Sequence, residues 1–507
     1  MDRFYHKLIL TAAAAVLAFL AFYLFASSMS KSLTSDENMY CTGGILISKG
    51  MMLYRDFPYA TQLPYHPLLC GLIYKLTGTT HYLLAARLIS VAFDILIIYC
   101  IFSIIRKIFA DYFYSGVIAG LAGAAIFVFN PFAAYLCGLA WNQDMTLLCI
   151  ILSFRIFMGI SPATGAGTKR IFIIAALLTI AAWTRATSVF VFPVFLIMIE
   201  IASSSKKNGL LAMTFGMIIF SIVPLWILIE SGRAFFVNVF TISMLHGQLL
   251  HQLHIANDKF YLTISVLRNI DYLLLILTAF FLGVYVCFML KKIIFPEKRN
   301  GLLSFLLLFT MIGIAYFPPT MWKQYFGMPV AFVIITSAYS VFYLRTVPNK
   351  IHFKIAISIF AALAIFTAVN QKPIVKIAKV LKTQNWTPIK IHNISKNIVA
   401  KTGRQPILTL SPLYALEGNG QIYIELAAGV PAFRVADKLT ETDRKITHTA
   451  GLRQIPQILT ARPASAIVIG PELTRFDKID LKSLVPDDWQ KVDCGDSSVH
   501  IFMPKKQ

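Results

Sequence analysis

Long apolar segments recur along the first three quarters of this sequence. Windows of about 19 residues, compared with the ~20 apolar residues that a helix needs to cross a bilayer, predict about eleven membrane-spanning helices. They lie near residues 8–26, 81–105, 113–129, 145–160, 171–183, 189–202, 210–229, 272–290, 302–317, 326–344 and 355–369. The chain is 57% hydrophobic and 14% charged, whereas soluble domains carry about 25% charged residues. We therefore predict a polytopic α-helical membrane protein, and the composition excludes a disordered chain and a soluble enzyme.

Basic residues mark alternate loops between the predicted spans. If the N-terminus lies in the cytoplasm, each cytoplasmic loop holds a basic pair or cluster, at 3–7, 106–107, 169–170, 206–207, 291–299 and 345–354. Lys and Arg are retained on the cytoplasmic side, so external loops are predicted at 27–80, 130–144, 230–271 and 318–325. We expect a multi-pass protein of the inner (plasma) membrane of the cell envelope. The formal charge of +22 serves this topology and contacts with membrane lipids, and no nucleic acid partner is expected.

The sequence changes character after residue 370. Strand-like runs at 407–410, 422–425, 466–469 and 499–503 alternate with helical or turn segments, which is typical of a small α/β domain. An odd number of spans places this domain outside, so we predict a membrane domain at 1–370 and an extracytoplasmic domain at 371–507. The seven cysteines have no CxxC or zinc spacing, so neither disulfides nor a cysteine metal site is expected.

The first external loop, 27–80, carries the strongest chemical signal. Asp36 and Glu37 follow closely after the first span, at the head-group level where a lipid-linked sugar presents its reactive carbon. Glycosyl transfer needs a base for the acceptor hydroxyl and cations for the departing phosphate, and the sequence has no nucleotide-binding motif. The alternative interpretation is that both acids lie in the first turn of a helix beside its dipole.

Seven segments of the first 345 residues follow the order and topology of one enzyme family. They are Ser-Asp-Glu-Asn-Met-Tyr at 35–40, the element at 50–59, Ala-Ala-Arg-Leu-Ile-Ser at 85–90, Asn-Pro-Phe at 130–132, Asn-Gln-Asp at 142–144, Trp-Thr-Arg at 183–185, and 319–329. Together they resemble the GT-C glycosyltransferases, in the branch of protein O-mannosyltransferases and aminoarabinose transferases (glycosyltransferase family 39-like). The resemblance implies a polyprenyl-phosphate sugar donor, inverting transfer without a nucleotide, and Asp36 as the catalytic acid. A second external acid is also implied, which Asp144 matches by position.

Other external residues are candidates for binding the donor or supporting the acid. Glu37 is a candidate for a supporting acid or a helix cap. The candidates for binding phosphate or sugar are Arg55, Tyr65, His66, Arg87, Arg185, Lys323 and Tyr325.

Each charged candidate also has a structural interpretation. Arg87 lies in a span, where an isolated cation suggests function, but Asp94 follows seven residues later on nearly the same helix face. Asp144 could serve as the N-terminal acid of a helix, and Arg55 could pair with Asp56. Arg185 and Lys323 could alternatively serve as anchors at the lipid head groups.

No cofactor is predicted. A divalent metal is conceivable at His246, His251 and His254 with Asp258, but the sequence does not support it. The acceptor is expected to be a hydroxyl of a lipid, a glycan or a protein. Two alternative functions are compatible with the predicted spans. A transporter or flippase of lipid-linked glycans would have paired interrupted helices and acids at mid-membrane. A glycan ligase or polymerase would use the same donor chemistry.

Overall fold

The structure is a computed structural model that describes residues 2–160, 167–202, 205–253, 259–290, 298–403, 405–470, 481–493, 496 and 498–505. Eighteen α-helices precede the C-terminal domain in this part of the chain. They are α1 (Asp2–Ser30), α2 (Ser35–Ser48), α3 (Tyr65–Thr77), α4 (Tyr82–Ile108), α5 (Phe113–Phe129), α6 (Pro131–Leu136), α7 (Gln143–Phe157), α8 (Gly167–Thr184), α9 (Val191–Ala202), α10 (Lys206–Ile219), α11 (Ile222–Ser231), α12 (Arg233–Phe236), α13 (Ile242–Gln252), α14 (Lys259–Leu267), α15 (Ile270–Leu290), α16 (Lys298–Tyr316), α17 (Gly327–Leu344) and α18 (Ile351–Asn370).

The polytopic helical class predicted from the sequence is confirmed. Among the described residues, seven helices are long and apolar enough to cross a membrane: α1, α4, α8, α15, α16, α17 and α18. Helices α10 and α11 together form an eighth candidate, bent by 45° at their break. The other predicted spans fall on α5, α7 and α9, which have only 17, 15 and 12 residues. The predicted number of eleven spans is therefore not confirmed.

Helix α17 lies at the centre of the membrane domain. It is apolar on every side and almost wholly buried, as expected for a helix surrounded by other helices. Its first residue, Gly327, contacts α6 so closely that a Cβ atom there would lie 2.6 Å from the carbonyl oxygen of Phe132. This contact fixes the turn before α17 against α6.

Helices α2 and α3 form a tight pair outside the membrane spans. Thr34 caps α2: its hydroxyl accepts a bond from the Glu37 amide, and its own amide donates to the Glu37 carboxylate, both at 3.2 Å. This is a capping box, which satisfies two otherwise unpaired helix amides. Glycine lets the pair approach, because a Cβ atom at Gly44 would lie 2.9 Å from the Cβ of Cys70.

The C-terminal part is a small α/β domain, as predicted. Its helices are α19 (Pro373–Val380), α20 (Thr387–Thr402), α21 (Leu413–Leu416), α22 (Val430–Ala436), α23 (Glu441–Thr447) and α24 (Ile455–Ala461). Its strands are β1 (Pro406–Thr409), β2 (Gln421–Ile422), β3 (Ala466–Ile469), β4 (Trp489–Val492) and β5 (His500–Pro504). The sheet order is β2-β1-β3-β5-β4, with β1 parallel to β2 and β3, and β5 antiparallel to β3 and β4. The predicted strands fall on β1, β2, β3 and β5. Strand β4, a half-exposed edge strand, escaped prediction because it shows no buried apolar run.

The C-terminal domain packs directly on α2 and on the start of α4. The Asn38 side chain of α2 donates to the Ser411 hydroxyl and accepts from the Leu413 amide, both at 3.3 Å. The Glu417 carboxylate accepts from the Leu83 amide at 2.6 Å, at the start of α4. These buried polar contacts bring α22 over the N-terminal end of α2, where Asp36 lies.

Candidate active site

Asp36 is the second residue of α2 and is partly exposed. Its charged neighbours are Glu37 and, from α22 of the C-terminal domain, Arg434. Burial raises the pKa of Asp36 to about 6, and Glu37 adds to that rise while Arg434 opposes it. A carboxylate with a pKa near neutrality can both accept and release a proton at the pH of the cell. Asp36 therefore has the properties expected of a general base.

Tyr40 connects Asp36 to the second arginine of the site. It lies one turn after Asp36 on the same face of α2, and its electrostatic neighbours are Asp36, Arg185 and Tyr325. The Arg185 guanidinium lies 4.5 Å from the centroid of the Tyr325 ring, a cation–π contact. Arg185 and Tyr325 were both predicted as substrate-binding residues, and the structure brings them together beside Asp36.

Tyr135 of α6 forms another wall of the site. It interacts electrostatically with Asp36, and its ring meets the edge of Trp141 with centroids 5.7 Å apart. The Trp141 indole donates to the Thr34 hydroxyl at 3.2 Å, which ties this wall to the cap of α2. The result is one carboxylate with two arginines and three tyrosines around it. Such a set can bind a phosphate through the cations and a sugar ring through the aromatic faces.

The predicted phosphate ligand Arg87 has a different role. Its Nε and Nη2 atoms each donate to the Glu37 carboxylate at 2.8 Å, and neither side chain has exposed surface. Its other bonds go to the carbonyl oxygens of Ser28, Lys31 and Ser32, at 2.7, 2.9 and 3.1 Å. All five N–H groups of the guanidinium are thus used. The predicted phosphate role is wrong, and so is the alternative pairing of Arg87 with Asp94, because α2 folds back to place Glu37 against α4.

Glu37 serves the structure of the loop. Besides capping α2 and binding Arg87, its carboxylate accepts a bond from the Ala140 amide at 2.9 Å. Of its two predicted roles, that of a helix cap is confirmed.

Asp144 belongs to a separate group that we call the interior cluster: Asp94, Cys137 and Asp144. Ligand atoms of these three side chains lie within 4.8 Å of one another, and all three are buried. Asp144 is in the first turn of α7, as its structural interpretation proposed, and has no exposed surface. A side chain so placed does not meet an incoming acceptor hydroxyl, so we remove Asp144 from the transfer step.

Two exposed cations lie outside the Asp36 site. Arg55 pairs with Asp56 at 2.8 Å and approaches Glu230 at 3.9 Å, which confirms the pairing with its neighbour that the sequence allowed. Lys323 is exposed at the start of the short helical turn Lys323–Phe326, as an interfacial anchor would be. Neither is among the electrostatic neighbours of Asp36.

Tyr65 and His66 both make contacts within the protein. The Tyr65 hydroxyl donates to the carbonyl oxygen of Phe220 at 2.5 Å, at the break between α10 and α11. His66 is buried, and its ring meets the edge of Tyr40 with centroids 5.1 Å apart. Burial lowers the pKa of His66 to about 4, so the ring is neutral and supports Tyr40. His66 thus has almost no surface that could contact substrate, whereas the predicted contact of the half-buried Tyr65 stays a prediction.

Comparison with solved structures identifies the architecture. ArnT from Cupriavidus metallidurans bound to undecaprenyl phosphate matches over 100% of both chains with a TM-score of 0.58 and 11% identity. The oligosaccharyltransferase of Archaeoglobus fulgidus in complex with Zn and sulfate matches 90% of this chain and 68% of its own, with a TM-score of 0.52 and 13% identity. This chain has the GT-C fold. The fold implied by the sequence resemblance is thus confirmed, although the sequence matches no protein-family model and no curated protein.

The most informative residue of this site was missed in the sequence. Arg434 is the only charged residue between 427 and 436, in a segment that is otherwise apolar. An isolated cation among buried apolar residues is a signal for a specific partner, and that signal was available. The sequence pattern did not identify the partner of Arg434, because Asp36 lies in another domain.

Potential metal ligands in the described residues form two groups. One is the interior cluster, and the other consists of His81, His392 and Glu417. The His392 Nδ1 atom lies 2.8 Å from Glu417, and the His81 ring stacks on the His392 ring at 3.7 Å. Neither group contains Asp36. The weak metal candidate of the sequence includes His254 and Asp258, which lie outside the described residues.

Proposed function

We propose that this protein is a membrane glycosyltransferase that moves a sugar from a polyprenyl-phosphate donor to an acceptor hydroxyl. The single observation that carries the proposal is the partly exposed Asp36, with Arg434 beside it and Arg185 across Tyr40. The GT-C fold supports it, since ArnT has been solved with undecaprenyl phosphate. The reaction needs no nucleotide, because the donor is already activated in the membrane.

The chemistry is a single displacement. The Asp36 carboxylate takes the proton of the acceptor hydroxyl while the hydroxyl oxygen bonds to C1 of the sugar. The bond between C1 and the phosphate oxygen breaks, and the electron pair leaves with the polyprenyl phosphate. Arg185 and Arg434 stabilise the negative charge that develops on this leaving group. Attack opposite to the leaving group inverts the configuration at C1.

The arrangement around Asp36 also supports a proposal for the acceptor and for the orientation of the protein in the membrane. A hydroxyl of a lipid, a glycan or a protein fits the step, and the C-terminal domain lies where it would contact that acceptor. We place Asp36 and the C-terminal domain on the extracytoplasmic side of the inner membrane and the N-terminus in the cytoplasm, because the basic loops alternate accordingly.

A transporter is the weaker interpretation. It would require paired interrupted helices around acids at mid-membrane. The described residues contain one bent pair, α10 with α11. The buried acids Asp94 and Asp144 face each other and Cys137, without exposed surface along which a solute would move.

Replacement of the base tests the proposal. We expect Asp36→Asn to lower transfer at least about 100-fold, because general bases contribute ~10²–10⁴-fold. The measurement is consumption of undecaprenyl-phosphate hexoses and pentoses by purified protein in liposomes, with acceptor supplied as a membrane extract. The matched control is Asp56→Asn, a partly exposed acid of the same loop that pairs with Arg55, which should retain activity. Full turnover by Asp36→Asn, with thermal stability unchanged, would remove Asp36 from the base role.

A further inference from the structure

A polar cavity lies on the same side of the protein as α2. Its volume is about 390 Å³, and it opens between the external end of α1, the helix α6 and the start of α19. Three lysines, Lys31, Lys376 and Lys379, line it together with Ser27 and Ser30. None of its described lining residues is acidic. The cavity therefore favours an anion.

The lysines differ in how they are held. Lys31 donates to the carbonyl oxygens of Ala134, at 2.6 Å, and Cys137, and it also faces the acids of the interior cluster. The Lys376 ammonium group donates one hydrogen bond to the Tyr23 hydroxyl at 2.9 Å. Lys379 is exposed at the rim of the cavity. Partial burial lowers the pKa of Lys376, since its ammonium group loses hydration. A phosphate oxygen would replace that hydration.

The surroundings of the cavity belong to the membrane surface. Helix α19 begins three residues after the last span ends at Asn370. Its side chains Ile374 and Val375 are 78% and 53% exposed, and Leu381 just beyond it is 73% exposed. Such a short amphipathic helix lies in the interface, with apolar side chains among the acyl chains and lysines at the head groups. The anion that reaches this cavity most directly is therefore carried by a lipid.

We propose that this cavity binds the phosphate group of a membrane lipid. The site is separate from Asp36 and does not depend on sugar transfer, because binding alone is the property proposed. It is also adjacent to Asp36, since Tyr135 lines the cavity and interacts with that carboxylate. Two lipids offer the required chemistry, a polyprenyl phosphate and an anionic glycerophospholipid.

Lipid retention tests the site with the full chain. Wild-type protein, Lys376→Gln/Lys379→Gln and Lys382→Gln are reconstituted in phosphatidylcholine nanodiscs that contain either undecaprenyl phosphate or phosphatidylglycerol. Native mass spectrometry then measures the lipid that each retains. Lys382 is exposed on the same segment but does not line the cavity, so Lys382→Gln is the matched control. We expect the double variant to bind at least about tenfold more weakly, as each lysine near a lipid phosphate contributes ~1 kcal/mol.

The outcomes separate the two sources. Preferential retention of undecaprenyl phosphate supports the site and assigns it to the donor or its product, whereas preferential retention of phosphatidylglycerol supports it as a site for a structural lipid. Equal retention by the wild type and the double variant would overturn the proposal. So would an equal loss in Lys382→Gln, or equally tight binding of inorganic phosphate. The thermal stability of the three proteins without added lipid must agree, and Lys376→Arg, which keeps the charge, should bind as the wild type does.

Discussion

At the scale of single residues, the raised pKa of Asp36 makes a prediction about pH. Only the ionised carboxylate accepts a proton, so activity should rise with pH through about 6. Transfer at pH 5 should be about tenfold slower than at pH 7, because about a tenth of the carboxyl groups are ionised at the lower pH. The measurement is the pH profile of the initial rate in liposomes.

Arg434 provides the control for this assignment. Its charge lowers the pKa of Asp36, so Arg434→Gln should shift the acid limb of the profile to higher pH. Lys438→Gln should leave that limb in place, because Lys438 is exposed and binds Gln252 at 2.7 Å. A profile that stays flat between pH 5 and 7, or a limb that Arg434→Gln moves to lower pH, would contradict the role of Asp36.

At the scale of elements, the buried Glu37–Arg87 pair fastens α2 to α4. Breaking a buried pair leaves an uncompensated charge and costs ~3–5 kcal/mol. Arg87→Met should therefore lower the thermal unfolding temperature and the yield of folded protein in detergent. Glu37→Gln/Arg87→Met should recover part of that loss, because it removes both charges.

The exposed pair of the same loop is the comparison for that experiment. Arg55→Met should change the unfolding temperature little, because Arg55 and Asp56 are solvated and exposed pairs contribute little. If Arg87→Met were as stable as Arg55→Met, the pair would not be holding α2. A loss of donor binding in Arg87 variants would follow from the displacement of α2, so we expect it to accompany a lower unfolding temperature.

At the scale of the whole molecule, we expect the alternation of basic loops to determine the orientation in the membrane. A reporter that is active only in the cytoplasm should be silent when fused after Gln507 and active when inserted in the loop at 345–350. The physical reason is that the positive loops remain on the cytoplasmic side. A strong signal at Gln507 together with a silent loop insertion would invert the orientation and place Asp36 in the cytoplasm.

The membrane class and the α/β tail were determined by the sequence. Apolar length, strand-like runs and loop charge are local properties, so they can be recognised without knowing what packs on them. The position of Asp36 and Glu37 in the first turn after a capping threonine is also a local property of the sequence. The number of spans was not determined by the sequence. Short apolar segments such as α7 and α9 have the same apolar composition whether or not they cross the bilayer.

The tertiary structure decided which side chains meet. Arg87 was expected to bind phosphate or Asp94, and its partner is Glu37, on an element that folds back across it. Arg434 reaches Asp36 only because a domain at the other end of the chain packs on α2. Electrostatic interactions depend on distance in space and on burial, neither of which sequence spacing encodes beyond a few helical turns. For that reason the candidate acid could be proposed from the sequence together with Arg185 and Tyr325, while the proximity of Arg434 could be recognised only in the fold.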